Sequence, residues 1–432
     1  MDRRTFFSLA PAAAATALAA PAALAAGEPK MRRWDEQRWA LDNIIQSNGI
    51  DWDQGRTGVI LRSCGLAVQG DMVALRQRVR KYADIIPAFE ALAKRREVLA
   101  IEYEKEGAKI PARDNYYFAA SYWANAMWPI DEVNDKIKFF NQKKRDNFTK
   151  YIEFADHKIE WVELPYRGKT LSAIWHLPPG YQAGQKVRTV VLVPGMDGFK
   201  ERSVSLYADN FMQRGYAVLA IEGPGYWEAP VRGIFVDVKG WQEFGKTCAD
   251  WLVKRPEVDT TKIGVTGTSF GTFFAAIFVS DEPRYKACSV IGTCYEPGGH
   301  SIFEEASPTF KKRFMFMSGI ADEGAFDTFR KTLDWNGYAQ QIKMPFMVVA
   351  GESDELSPLK YGEAFVAALG GPKIFMIYQD SRHSLAGPSV SNGPEPRIYQ
   401  AEWLTRRLDG VPMESERWFI ENSGRVVKTK LG

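Results

Sequence analysis

The segment Ile263-Gly264-Val265-Thr266-Gly267-Thr268-Ser269-Phe270-Gly271-Thr272 constrains this chain more than any other. A β-branched, apolar stretch runs into Gly267-x-Ser269-x-Gly271, and an apolar stretch from Phe273 to Val279 follows. The pattern predicts a strand, a sharp turn and a helix starting near Thr272. A serine on so tight a turn is held in a strained backbone conformation, and its neighbours at −2 and +2 must be small. The following helix directs its positive dipole end at the turn, where an oxyanion can develop. Ser269 is therefore the candidate nucleophile; a plain turn serine would require none of this context.

The surroundings of the turn set the fold class. Lys158–Pro165 and Lys169–Leu177 alternate apolar and polar residues across Arg167-Gly168, which predicts a hairpin. Short runs rich in Val and Ile follow at Thr189–Val193, Ala217–Ile221, Lys262–Val265, Cys288–Ile291, Pro345–Ala350 and Lys373–Ile377, most of them separated by helix-length segments. That alternation predicts an α/β domain whose sheet is mostly parallel and covered on both faces. An antiparallel start followed by parallel strands is the order of the α/β-hydrolase fold, with an eight-stranded, mostly parallel sheet. The stretch from Gly292 to Pro345 is longer than a crossover helix needs, so a cap insertion is expected at about 295–341, centred on Tyr295–Trp335. Upstream, Met72–Tyr82, Ile86–Glu104 and Asn115–Trp128 carry apolar residues at helical spacing. They predict an all-helical N-terminal domain over 27–152, ending in the basic, polar stretch Asn141–Lys150, with the catalytic domain over 153–432.

A serine nucleophile needs a base and an acid. The chain has 4 histidines, at 157, 176, 300 and 383. His157 and His176 precede the nucleophile, whereas this fold orders its residues Ser, acid, His. His383, in Asp380-Ser381-Arg382-His383-Ser384 just after the last strand, is the expected base. The acid should follow the penultimate strand, where Gly351-Glu352-Ser353-Asp354-Glu355 stands; Asp354 is the candidate, with Glu352 and Glu355 as near rivals. It would fix the imidazole tautomer and stabilise the imidazolium. Two backbone donors are expected to bind the oxyanion: Phe270 N–H and an N–H of the loop after Thr189–Val193, with Met196 the choice and Asp197 the runner-up.

Composition narrows the remaining possibilities. The formal charge is +3, from 56 Lys+Arg against 53 Asp+Glu, so no one-signed field points to nucleic acid as a partner. The 4 cysteines form no CxxC pair and no metal-ligand spacing, so no metal or cofactor is implied. Arg3-Arg4 before an Ala/Leu-rich run to Ala26, with Ala23-Leu24-Ala25 as a small-x-small site, predicts a twin-arginine leader over 1–26 and a periplasmic or secreted mature chain. No later apolar run is long enough to span a bilayer, so no stable membrane insertion is expected after cleavage.

The loops that flank the expected site resemble a known group. Gly195-x-Asp197-Gly198-x-Lys200-Glu201 resembles the Gly-x-Asp-Ser/Gly-x-Lys-Glu loop of the 2,6-dihydroxypseudooxynicotine hydrolase group, and Glu222-Gly223-Pro224-Gly225 is similar to its Asp/Glu-Gly-Pro-Gly turn. The group includes fungal polyketide-shortening hydrolases and is related to fermentation/respiration-switch esterases. The resemblance implies a helical domain joined to a hydrolase domain, a homodimer, and, in some members, cleavage of a carbon–carbon bond beside a ketone with an extra pocket carboxylate. Glu296 and His300 lie in that region here. They join Asp197 and Tyr226 as candidate substrate contacts. The chain departs from the group at Tyr226-Trp227-Glu228, where Gln-Gly-Glu is frequent, and in carrying a leader. The expected activity is hydrolysis of a carboxylic ester of a small molecule. A carbon–carbon hydrolase or an amidase or peptidase would use the same triad. A prolyl-oligopeptidase propeller is excluded by the helical N-terminal domain, and an exported binding protein with a decayed triad is the non-enzymatic alternative.

Overall fold

A computed structural model describes residues 31–207 and 209–431. The expected leader over 1–26 lies outside the described residues.

Six helices come first: α1 (Arg32–Asn48), α2 (Arg56–Cys64), α3 (Gln69–Arg78), α4 (Ile85–Lys105), α5 (Lys109–Met127) and α6 (Asp135–Glu153). α5 packs between α4 and α6. That position explains its composition, because Tyr116 to Trp123 are buried without interruption. α3 ends at Arg78, short of the expected Tyr82, because Val79 turns extended at φ −85° and ψ 105°. The stretch Asn141–Lys150, expected to close the module as a polar segment, is the body of α6. The Asn134 side chain caps that helix by accepting the Ile137 N–H at 2.9 Å.

The sheet has ten strands: β1 (Ile159–Tyr166), β2 (Lys169–His176), β3 (Val187–Val193), β4 (Ala217–Ile221), β5 (Val258–Thr268), β6 (Ala287–Ile291), β7 (Phe346–Gly351), β8 (Lys373–Tyr378), β9 (Glu416–Ile420) and β10 (Val426–Lys430). Their spatial order is β1-β2-β4-β3-β5-β6-β7-β8-β9-β10. β1 and β2 form the expected antiparallel hairpin, and Arg167 and Gly168 both take positive φ at its turn. From β4 to β9 all neighbouring pairs are parallel. Every residue of β4, β6, β7 and β8 is buried, as strands covered on both faces require.

The eight strands expected are present, and β9 and β10 extend the sheet by a C-terminal hairpin that the sequence reading left out. Its turn, Asn422-Ser423-Gly424, supplies the positive φ that closes the hairpin, 86° at Gly424. The cap insertion is helical, with a π-turn at Ser301–Glu305 and helices at Pro308–Ser318 and Glu323–Phe329. No helix among the described residues is long and apolar enough to cross a membrane.

Candidate active site

β5 ends at Thr268 and the helix Phe270–Val279 starts one residue later, which leaves Ser269 alone on the turn. Ser269 takes φ 55° and ψ −131°, a backbone conformation that costs a non-glycine residue on the order of 1–3 kcal/mol. The turn survives because its surroundings hold it. The Ser269 N–H donates to Ile291 O of β6 at 3.0 Å. A Cβ at Gly271 would stand 2.3 Å from Pro194 O, so only glycine lets the elbow meet the loop after β3. Gly195 of that loop is as constrained, because a Cβ there would lie 3.0 Å from Ser269 Cβ. Met196 and Phe270, which directly follow Gly195 and Ser269, are both buried. Phe270 N–H belongs to the first helical turn, where backbone donors lack intrahelical partners.

The loops after β7 and β8 bring the other two residues. Ser269 Oγ lies 2.9 Å from His383 Nε2, and His383 Nδ1 lies 2.9 Å from Asp354 Oδ2. With Nδ1 protonated, the imidazole donates to Asp354 and accepts the serine proton at Nε2. Asp354 is itself fixed, accepting N–H bonds from Leu356 at 2.9 Å and Ser357 at 3.1 Å. Glu355 accepts the His383 backbone N–H at 3.0 Å, and Glu352 accepts that of Asp380 at 3.0 Å. Both rivals for the acid position are therefore spent on holding the histidine loop.

Burial alone would lower the His383 pKa, but the Asp354 charge and hydrogen bond, helped by Glu355, lift it above its ordinary 6.5. The imidazole is thus neutral, and able to act as a base, only at pH values above that figure. We expect kcat/KM to rise with pH through a midpoint above 6.5. In Asp354→Asn the residual activity should fall by about 10⁴-fold in kcat, with its midpoint displaced downward because burial then dominates. A pH–rate profile of both proteins checks this; an unmoved midpoint would separate Asp354 from the histidine.

Other expected contacts are placed elsewhere. Asp197 is turned towards the helical domain: its Oδ1 accepts Trp128 Nε1 at 2.8 Å and its Oδ2 accepts Gln54 Nε2 at 2.9 Å, with Arg56 3.5 Å away. Its side chain ties α5 and the start of α2 to the loop after β3, which corrects the expectation that it contacts substrate. His300 is exposed and lies 3.5 Å from Glu305. Glu296 spends an oxygen on the Ser301 N–H at 2.6 Å, closing the turn that starts the cap. Tyr226 is fully buried, with its ring packed on Trp241 at 5.4 Å and on Phe274 at 5.9 Å. His157 and His176 stack on each other, 3.1 Å between ring nitrogens, at the β1–β2 end of the sheet and apart from the triad.

Two features escaped sequence reasoning. One is Cys294, buried after β6, whose backbone N–H donates to Thr272 Oγ1 at 2.9 Å on the helix that follows the nucleophile. The other is an ion cluster beneath the site. Lys144 of α6 lies 3.0 Å from Glu201, 3.5 Å from Glu228 and 3.8 Å from Glu222. Lys200 lies 3.1, 3.0 and 3.3 Å from Glu201, Glu228 and Glu222. Arg145 adds a 3.0 Å contact to Glu228. Both lysines are fully buried, and the contacts are ion pairs rather than aligned hydrogen bonds. Burial would push the Glu228 carboxyl up, but Lys144, Lys200 and Arg145 hold it well below the usual carboxylate range. The Lys200-Glu201 and Glu222-Gly223-Pro224-Gly225 motifs therefore serve to bind the helical domain to the loops that carry Met196 and Tyr226. No cluster of metal-ligating side chains occurs among the described residues.

A cleft of about 650 Å³ opens between α1, the cap and the acid loop, lined by Leu41, Ile44, Trp52, Phe310, Leu356 and Arg382 among others. It adjoins the segment that carries Asp354 and His383.

Comparison with known proteins agrees with this architecture. The sequence pattern of the prolyl oligopeptidase family matches residues 244–410. Among curated proteins, the chain is 29% identical over 252 residues to the alpha/beta hydrolase xenA of Xenoacremonium sinensis, covering 56% of this chain and 58% of that one. It is 24% identical over 220 residues to the esterase FrsA of Photobacterium profundum, covering 51% and 50%. The matched part thus spans little more than half the length of these relatives. Among solved structures, 2,6-dihydroxy-pseudo-oxynicotine hydrolase superposes with a TM-score of 0.68 at 21% identity, covering 82% of this chain and 95% of that one. The chain thus has the α/β-hydrolase fold and is similar to 2,6-dihydroxy-pseudo-oxynicotine hydrolase and to alpha/beta hydrolases and an esterase among curated proteins.

Proposed function

We propose that this α/β-hydrolase is a serine hydrolase cleaving a carboxylic ester of a small organic substrate through an acyl-enzyme. The observation that carries the reading is the Ser269–His383–Asp354 relay, with both links at 2.9 Å. His383 Nε2 takes the Ser269 proton as Oγ bonds to the substrate carbonyl carbon. The carbonyl oxygen becomes an oxyanion held by the Phe270 and Met196 N–H groups. As the C–O bond to the leaving group breaks, the imidazolium returns the proton to the departing alkoxide. Water then enters, loses a proton to His383 and attacks the acyl carbon; the acid departs and Ser269 recovers its proton. Substrate reaches the triad through the cleft beneath α1, so the helical domain over 27–152 works as a lid on the catalytic domain over 153–432.

A substrate panel tests the bond type. Aryl esters should turn over at least about 10-fold faster, in kcat/KM, than a β-diketone or a peptide anilide, a gap of 1.4 kcal/mol or more in transition-state binding. Faster release of acid from the β-diketone would replace the ester reading with carbon–carbon hydrolysis.

Export through the twin-arginine route, and assembly as a homodimer, belong to the same proposal. With Arg3 and Arg4 both changed to lysine, the protein should be retained uncleaved in the cytoplasm on cell fractionation; unaltered export would reject the leader.

A further inference from the structure

We propose that Arg313, together with Tyr226 and Trp227, forms a subsite beside Ser269 that binds a carboxylate carried by the substrate. The inference rests on reading the triad as a hydrolase and adds a substrate class to it.

Arg313 lies on the cap helix Pro308–Ser318 and is only 4% exposed. None of its guanidinium nitrogens, Nε, Nη1 or Nη2, meets a hydrogen-bond acceptor among the described residues. The group lies over Trp227 at 4.6 Å and Phe316 at 5.1 Å. A buried arginine is ordinarily paired, because losing both water and counter-ion is costly. Two further donors share the condition: the Tyr226 hydroxyl and Trp227 Nε1 are buried with no partner. Arg313 and Trp227, from two separate segments, thus stack with their donors unspent, and the hydroxyl of Tyr226, the residue before Trp227, is a further unspent donor.

The nearby acceptors are committed elsewhere. The Asp197 oxygens are held by Trp128, Gln54 and Arg56. Those of Glu222 take the backbone N–H groups of Lys200 and Glu228. Both carboxylates act on Arg313 through their charge alone, while burial pulls its pKa down to about 10. The cluster also adjoins the helix that follows the nucleophile: the Tyr226 ring packs on Phe274 of that helix with centroids 5.9 Å apart. Phe314, next to Arg313 in sequence, packs on Phe270 with ring centroids 4.6 Å apart. Trp227 is held at φ 39°, a conformation that strains a bulky side chain and is kept where a site needs it.

A carboxylate answers all of these features. Its two oxygens match the guanidinium fork, and its remaining lone pairs can accept from Tyr226 and Trp227. A cationic group would be repelled, and a neutral carbonyl would leave the charge unanswered. Arg313 also lines a narrow gap with Tyr82, Trp128 and Thr309.

The test pairs esters differing only in a terminal carboxylate: 4-nitrophenyl hemiglutarate with 4-nitrophenyl valerate on the acyl side, and 3-carboxyphenyl acetate with phenyl acetate on the leaving-group side. Wild type should favour the carboxylate member of one pair by about 10- to 100-fold in kcat/KM, the span of a charged hydrogen bond. Arg313→Met should collapse that ratio, and Tyr226→Phe should reduce it; the second variant carries the test if the first does not fold. Calorimetric titration of wild type with glutarate, against glutaramide, reads the subsite without turnover. Saturable binding of glutarate alone, lost in the variants, supports it. Hydrolysis of the neutral esters with neither preference nor glutarate binding would overturn the subsite and leave the hydrolase reading standing. Glutarate binding without any ester turnover would instead remove the hydrolase reading.

Discussion

Ser269→Ala will lower kcat for a small aryl ester by about 10⁴-fold or more, while the melting curve and circular dichroism stay those of wild type. The size follows from the loss of covalent catalysis as a unit. With Oγ gone, His383 has no proton to take from serine and the acyl-enzyme cannot form, so only binding and the oxyanion donors remain. The fold should tolerate the change because Ser269 holds the elbow through its backbone, by the N–H bond to Ile291 at 3.0 Å. Alanine leaves that bond in place. It adopts φ 55° no more easily than serine does, so the strain at the turn is unchanged. Activity within tenfold of wild type would remove Ser269 from the mechanism.

Lys144→Met should destabilise the protein by about 3–5 kcal/mol, the range for removing one partner from a buried ion pair. The reason is the charge count of the cluster. Three carboxylates, of Glu201, Glu222 and Glu228, face Lys144, Lys200 and Arg145. With one cation removed, an uncompensated charge stays in a region where the lysines are fully buried. The carboxylates closest to Lys144 should respond by taking up a proton. The loss should then grow as pH rises and keeps them ionised. Urea unfolding, followed separately by probes in the helical and catalytic domains, measures it. Lys144→Met combined with Glu201→Gln should recover part of the loss, since cation and anion leave together. A single variant within 0.5 kcal/mol of wild type, the scatter of ordinary surface changes, would mean that the cluster does not hold the domains together.

The catalytic apparatus was legible because its signals are local. Ser269 sits between glycines two residues either side, after a β-branched run and before an apolar one. Asp354 and His383 each follow a strand that reads as a continuous apolar stretch. Local pattern and global fold agree at those places. The β9–β10 hairpin was not legible for the opposite reason: Glu416–Ile420 is short and mixes charged with aromatic residues, and its pairing depends on β8. Asp197 misled because a loop carboxylate beside a nucleophile looks like a ligand contact, while its partners, Gln54 and Trp128, lie far upstream in the chain. Lys144 stood in a stretch that reads as solvated. Only tertiary structure shows that the interior of α6 faces carboxylates from loops more than fifty residues away, and no periodicity encodes such pairings. Arg313 was hidden likewise, since its burial over Trp227 joins segments far apart in the chain.

The central claim is that His383 activates Ser269 as a nucleophile, and one measurement tests it most directly. The protein is incubated with a fluorophosphonate, and the site and extent of labelling are read by peptide mass spectrometry. The account predicts one phosphonyl group per chain, on the peptide containing Ser269, with labelling lost in Ser269→Ala and slowed strongly in His383→Ala. Labelling at another residue, or an unlabelled Ser269 in folded protein, would contradict it.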